Sequence, residues 1–149
     1  SDNMKNIKLS MMEAVLLESL RSNGVSNQEL LNNLDGRSWE ETFSTEYEAL
    51  LNIYSQDKQQ FIELLENGYS VKFITFNGLR NLLKMKFNKL EEQDYKIVDN
   101  TFELLELNPQ QLSTLKQLLS INWVVDEHER EGLDTDSILV KLKPVVVSE

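Results

Sequence analysis

Three serine capping motifs in the first 41 residues constrain the fold of this chain more than any other feature. Ser10, Ser26 and Ser38 are each followed, three residues later, by a glutamate. At this spacing the hydroxyl and the carboxylate satisfy two backbone N–H groups that a helix leaves unpaired at its start. Apolar residues at spacings of three and four follow each motif, and Gly24 and Gly36 end the first two segments. The first third of the chain is therefore predicted to form short capped helices.

Two further helix starts lie beyond these motifs. A helix over about residues 57–66 presents Phe61 on its apolar side and stops at Gly68. Asn108 followed by Pro109 combines a capping side chain with a proline whose missing N–H costs nothing at the first helical position. A helix is therefore expected after residue 108.

The last third of the chain contains segments typical of strands. Residues 101–107, 122–127 and 137–147 are rich in β-branched residues or alternate between apolar and polar ones. Pro144 lacks the N–H that a central strand needs, so the last segment is expected at a sheet edge or divided in two.

Residues 94–107 fit two structures. They fit a hairpin that turns at Asp99 and Asn100, and they also fit one amphipathic helix, because the periodicity does not separate the two. The predicted fold class is α+β and predominantly helical, with about five to six short capped helices followed by a small C-terminal β hairpin or sheet. Residues 1–149 are expected to form a single domain.

Charge is segregated along the chain, whose formal net charge is −10. The helical part, residues 1–69, holds 5 Lys or Arg against 12 Asp or Glu, and the acidic α+β part, residues 90–149, holds 5 against 13. The basic element between them, residues 70–89, holds five cations and no acid. A field of this overall sign repels phosphates, so general coating of nucleic acid is not expected.

The basic element has two interpretations. As one helix capped by Ser70, it aligns cations and aromatic rings on one face: Lys72, Phe76, Arg80, Lys84 and Phe87. Alternatively, residues 70–76 form a strand and Asn77 caps a shorter helix. Arg80 and Lys84 lie on the same helix in both interpretations.

The basic element is the candidate binding surface. Its predicted contact residues are Lys72, Phe76, Arg80, Lys84, Lys86 and Lys89. A surface that mixes cations with aromatic rings can bind an acidic partner protein or the phosphates and bases of a nucleic acid. Alternatively, these side chains pack against the acidic flanks of the chain itself. The principal hypothesis is a small intracellular regulatory protein, not an enzyme, that binds a partner protein. The alternatives are a nucleic-acid-binding transcriptional regulator that uses residues 70–89 and an acidic inhibitor that imitates nucleic acid.

Residues 24–43 resemble the helix-turn-helix pattern of many bacterial regulators. Ser26 and Ser38 would start the two helices, with Gly36 in the turn. Glu40 and Glu41 would then stand at the start of the recognition helix, where their charges repel phosphates. A pair of ordinary capped helices is the simpler interpretation.

Few residues offer catalytic or metal-binding chemistry. The chain has no cysteine, which excludes thiol nucleophiles and thiolate metal sites, and its glycines are scattered. The one histidine, His128, lies in an acidic run that is interpreted as a solvated loop between two strands, although Glu131 has the spacing of a second metal ligand. We therefore expect no catalytic residue, no metal and no cofactor.

The apolar segments predict no contact with a membrane. The sequence has no run of about 18 apolar residues. The N-terminus lacks the apolar region of a secretory signal, and Met4 is interpreted as the natural start, with residues 1–3 added ahead of it. A cytoplasmic location is expected.

Overall fold

A computed structural model describes residues 7–36, 44–119, 121–129 and 137–145. Within these ranges, six helices and a four-stranded antiparallel sheet near the C-terminus confirm the predominantly helical α+β class. The helices are α1 (Met11–Ser22), α2 (Asn27–Gly36), α3 (Ser44–Gln56), α4 (Lys58–Asn67), α5 (Phe76–Phe87) and α6 (Pro109–Leu118). The strands are β1 (Lys8–Leu9), β2 (Ser70–Val71), β3 (Lys96–Val98), β4 (Thr101–Leu107), β5 (Trp123–Glu129) and β6 (Ile138–Pro144).

The first two capping motifs form as predicted. The Ser10 hydroxyl accepts from the backbone N–H of Glu13 at 3.1 Å, and the Glu13 carboxylate accepts from the N–H of Ser10 at 2.8 Å. Ser26 and Glu29 make the same pair of bonds at 3.1 and 3.2 Å. The third motif, at Ser38, lies outside the described residues.

The later helix starts are also confirmed. The Asp57 carboxylate accepts from the backbone N–H of Gln60 at 3.0 Å and so caps α4. Asn108 and Gln111 form a reciprocal capping box at the start of α6, with Pro109 as the first helical residue.

The C-terminal sheet has the strand order β3-β4-β6-β5. β3 and β4 form the hairpin of the two alternatives for residues 94–107. Asp99 and Asn100 make its turn with φ values of +50° and +63°, a pair of left-handed residues that Asp and Asn tolerate.

The structure corrects two predictions about the sheet. β6 lies between β4 and β5 and is not an edge strand. Pro144 is its last residue, and its missing N–H does not interrupt the pairing with the β5 side, because the N–H of Val145 donates to the carbonyl of Asn122 at 2.9 Å. His128 lies inside β5, opposite Leu139, and not in a loop, because the ladder with β6 continues to Glu129. The second proposed metal ligand, Glu131, lies outside the described residues.

One buried cluster joins the helices to the sheet. Phe102 of β4 stands at the junction, with ring centroids 5.1 Å from Phe76, 5.3 Å from Tyr95 and 5.6 Å from Trp123. The indole N–H of Trp123 donates to the carbonyl of Ile74 at 2.8 Å. The chain segment that leads into α5 is therefore fixed against the sheet.

β1 and β2 form a short parallel pair just before this segment, with Lys8 opposite Ser70 and Leu9 opposite Val71. The sequence does not predict this pair, because strands of two residues carry no periodicity. None of the helices in the described ranges is long and apolar enough to cross a membrane.

Candidate functional site

The basic element is a short strand followed by a helix, which is closer to the second interpretation. β2 covers Ser70–Val71 only, and α5 begins at Phe76. The cap is Thr75, whose hydroxyl accepts from the N–H of Gly78 at 3.0 Å, and neither Ser70 nor Asn77 caps the helix. Thr75 has the extended backbone that a capping residue requires, with φ −76° and ψ 161°.

The inner face of α5 is apolar and fixes which side of the helix meets solvent. Its buried side chains pack into the core cluster: Leu79, Leu82, Leu83 and Phe87. Gly78 lies so close to Met11 of α1 that an added Cβ would collide with the methionine side chain. With the apolar face packed inward, the polar face of α5 is exposed to solvent. It consists of Asn77, Arg80, Asn81 and Lys84, at spacings of three, one and three.

The chain reverses at the end of α5 and returns along this outer face. Asn88 adopts the left-handed conformation with φ +55°, and the N–H groups of Asn88 and Lys89 donate to the carbonyls of Lys84 and Leu83 at 3.1 and 2.9 Å. The next turn is held by the carboxylate of Asp94, which accepts from the N–H of Leu90 at 2.7 Å. Residues 89–95 are therefore held in place by hydrogen bonds of the chain itself.

Between the outer face of α5 and residues 89–95 lies an open groove of about 630 Å³, called the cationic groove below. Three of the predicted contact residues line it: Arg80, Lys84 and Lys89. Glu91 is the one carboxylate among its lining residues, and its Oε1 lies 3.0 Å from Nη2 of Arg80. The groove thus has a formal charge of +2 in a chain of −10.

The cations of the groove remain accessible. The Arg80 side chain is 44% exposed despite its ion pair with Glu91. Lys84 is exposed and Lys89 is partly exposed, and neither forms an ion pair with a residue that the structure describes. Side-chain amides from Asn77, Asn81 and Gln93 add further hydrogen-bond donors to the same groove.

Tyr95 forms the buried side of the groove. Its side chain is 4% exposed and lines the groove beside Arg80. Burial raises the pKa of the Tyr95 hydroxyl, and the Arg80 guanidinium opposes that shift in part. The hydroxyl therefore stays neutral near pH 7, and the charge of the groove comes from its cations and Glu91 alone.

Lys86 is directed away from the groove into a buried network. Its Nζ lies 3.1 Å from Oε2 of Glu18, which also accepts from Nη1 of Arg21 at 3.2 Å and from the hydroxyl of Tyr69 at 2.6 Å. The Glu18 side chain is 3% exposed and the Lys86 side chain 20% exposed. Burial and the neighbouring Glu18 charge raise the pKa of Tyr69 far above its usual range, so that it remains a donor. Lys86 therefore connects α5 to α1.

Two further predicted contacts also lie apart from the groove. Phe76 is partly buried against Phe102, and Lys72 is exposed but precedes the Thr75 cap and does not line the groove. The continuous line of cations and aromatic rings predicted for one helix does not exist, because the rings of Phe76 and Phe87 belong to the core. Phe73, which is 60% exposed, lies beside Lys72 and was not among the predicted contacts.

Sequence reasoning missed the polar partners of the groove. Asn77 and Asn81 share the helical spacing of Arg80 and Lys84, which is a signal that the sequence contains. Glu91 and Gln93 lie beyond the acid-free stretch, so a count of charges separated them from the cations that they adjoin.

The described residues contain no cluster of three or more His, Cys, Asp or Glu side chains that would hold a metal ion. No family model, no curated protein and no solved structure matches this chain.

Proposed function

We propose that the protein binds an acidic segment of a partner protein in the cationic groove and that it acts as an interaction protein. The observation that supports this most strongly is the convergence of Arg80, Lys84 and Lys89 on one groove. A concave surface lined by charges of one sign concentrates its potential and attracts ligands of the opposite sign. Carboxylates are ligands that guanidinium and ammonium groups bind through charge-assisted hydrogen bonds.

An acidic peptide suits this groove better than a nucleic acid does. Binding of single strands combines a basic track with exposed aromatic rings on which bases stack. The rings of α5, Phe76 and Phe87, pack into the core, and Tyr95 is buried. The groove therefore offers charge and hydrogen bonds without a stacking platform.

Glu91 occupies a place that a ligand carboxylate would take. Its Oε1 is 3.0 Å from Nη2 of Arg80, and its side chain is 34% exposed. An incoming carboxylate competes with Glu91 for the guanidinium, while Lys84 and Lys89 have no such internal competitor among the described residues. The ion pair keeps Arg80 oriented in the free protein and weakens binding at that position.

The test is a titration of the protein into a labelled oligoglutamate peptide of about eight residues, which spans about 27 Å when extended. Fluorescence anisotropy at a salt concentration of about 50 mM, where screening is weak, reports binding. The Lys84→Glu/Lys89→Glu double variant is expected to lose binding. Its matched control, Lys58→Glu/Lys116→Glu, makes the same change in net charge at lysines that do not line the groove and is expected to retain it.

Two results would overturn the proposal. Equal loss of binding in both double variants would show that net charge alone attracts the peptide. Tighter binding of a single-stranded oligonucleotide of matched charge, with the same dependence on Lys84 and Lys89, would favour the nucleic-acid hypothesis instead.

A further inference from the structure

Leu104 has a left-handed backbone conformation, which is energetically unfavourable for leucine. Its φ is +63°, in the left-handed region where a Cβ crowds the following carbonyl oxygen. Glycine adopts this conformation without strain and asparagine tolerates it, whereas leucine does so at a cost. The Leu104 side chain is also 56% exposed, so burial does not compensate fully for that cost.

The cause is a β-bulge in β4. Phe102 pairs with Leu142 and Leu105 pairs with Val140, which leaves Glu103 and Leu104 opposite one residue of β6. The extra residue shifts the alternation of the strand, so that Leu105 follows Phe102 into the core and Leu104 is directed outward. The bulge therefore displays an apolar side chain that a regular strand would have buried.

Leu104 lies next to the cationic groove. It lines a second open groove of about 190 Å³ together with Glu106 and residues of the 89–96 segment. Lys89, Gln93 and Tyr95 line both grooves, so the two grooves are adjacent. Strained backbone conformations are concentrated at ligand-binding and active sites, so Leu104 is a candidate for a role in recognition.

The charges of the second groove differ from those of the first. Its titratable lining side chains include three carboxylates, Glu92, Asp94 and Glu106, against Lys89 and Lys96. A further carboxylate is therefore repelled there, whereas an apolar side chain is not. The two grooves together present cations at one end and a leucine at the other.

We propose that the partner segment carries a large apolar residue beside its carboxylates, and that Leu104 receives this residue in the second groove. The inference rests on the proposed function and specifies its partner: the carboxylates bind Arg80, Lys84 and Lys89, and the apolar side chain packs against Leu104. Burial of the exposed part of Leu104 by a phenylalanine strengthens binding by about tenfold.

The experiment compares the oligoglutamate peptide with a series in which one phenylalanine replaces each glutamate in turn. At least one member of the series is expected to bind the wild-type protein about tenfold more tightly than oligoglutamate. Leu104→Gly and Leu104→Asn are expected to abolish this gain and to leave oligoglutamate binding unchanged. Their unfolding temperatures are expected to stay equal or rise, because relief of strain offsets the loss of a half-buried side chain. Val98→Ser removes another exposed apolar side chain, outside both grooves, and is expected to retain the gain.

The outcomes separate the two proposals. Failure of oligoglutamate to bind the wild-type protein overturns the proposed function. Binding of oligoglutamate with no gain from phenylalanine, or with a gain that survives in Leu104→Gly, overturns the role of Leu104 alone. A large fall in the unfolding temperature of Leu104→Gly would show that this leucine serves folding, and it would also overturn the inference.

Discussion

Lys84 and Lys86 lie two residues apart in α5 and are expected to respond in opposite ways to the same substitution. Methionine replaces lysine with a side chain of similar length and similar helix propensity but without the charge. Both lysines lie in the last turn of the helix, so each variant loses a comparable interaction with the helix dipole. The difference between Lys84→Met and Lys86→Met therefore reports their surroundings.

The structure sets the size of that difference. Lys86→Met removes a charge-assisted hydrogen bond to Glu18, whose side chain is 3% exposed, and such bonds contribute about 1.5–3 kcal/mol. It also removes an ammonium group 5.7 Å from the centroid of the Tyr69 ring, which contributes about 0.5–1 kcal/mol. Glu18 keeps Arg21 and Tyr69 as partners, so we expect a loss of about 2–3 kcal/mol in the free energy of unfolding. Lys84→Met is expected to cost about 0.5 kcal/mol or less, since Lys84 is exposed.

The assay is urea denaturation followed by tryptophan fluorescence, combined with the oligoglutamate titration of each variant. We expect Lys86→Met to lower the urea midpoint without a change in the slope and to retain peptide binding in the folded range. Lys84→Met is expected to keep the midpoint and weaken binding. Equal stability of the two variants would refute the contribution of the buried network. Loss of peptide binding by Lys86→Met without a loss of stability would show that Lys86 contributes to binding.

Three further perturbations test the electrostatics of the structure. Glu91→Gln frees Arg80 from its ion pair at 3.0 Å and is expected to tighten oligoglutamate binding about twofold to fivefold, as measured by anisotropy. Weaker binding would show that the orientation of Arg80 by Glu91 matters more than the competition between Glu91 and the ligand. Burial raises the pKa of Tyr69 above its ordinary value of 10.0, so its contribution to stability is complete below that pH and is lost as the unfolded chain ionises above it. Urea midpoints between about pH 8 and 11 are therefore expected to fall less steeply in Tyr69→Phe than in the wild type, and equal slopes would contradict the raised pKa. The hydrogen bond and charge of Lys143 lower the pKa of Asp126 below its ordinary value of 3.8. The stabilisation from this pair is therefore present above that pH and is lost as the pH falls below it. Lys143→Gln is expected to raise the pKa of Asp126 in an NMR titration, and an unchanged pKa would contradict the pairing.

The helix starts were predictable from sequence because their signals are local. Ser10 with Glu13, Ser26 with Glu29 and Asn108 with Gln111 each act within four residues, where the identity of the pair nearly determines the hydrogen bonds. The β1–β2 pairing consists of two residue pairs whose members lie about sixty positions apart, and no local pattern indicates it.

The site was predicted in part because helical spacing shows which residues share a face but not which face is buried. Arg80, Lys84 and Lys89 line one groove, as a concentration of cations in the sequence suggests. Lys86 and Phe76 were assigned to the same surface because nothing in the sequence shows that α1 places Glu18 against Lys86 or that Phe102 packs on Phe76. The left-handed Leu104 was also hidden, since the pattern of residues 101–107 is that of an ordinary strand.

The most direct test of the central claim is a backbone amide NMR titration of the protein with the oligoglutamate peptide. Binding in the cationic groove predicts chemical-shift changes concentrated in residues 77–84 and 89–95, which fade as salt is raised. Shift changes confined to other surfaces, or the absence of shift changes in residues 77–84 and 89–95, would contradict binding in the cationic groove.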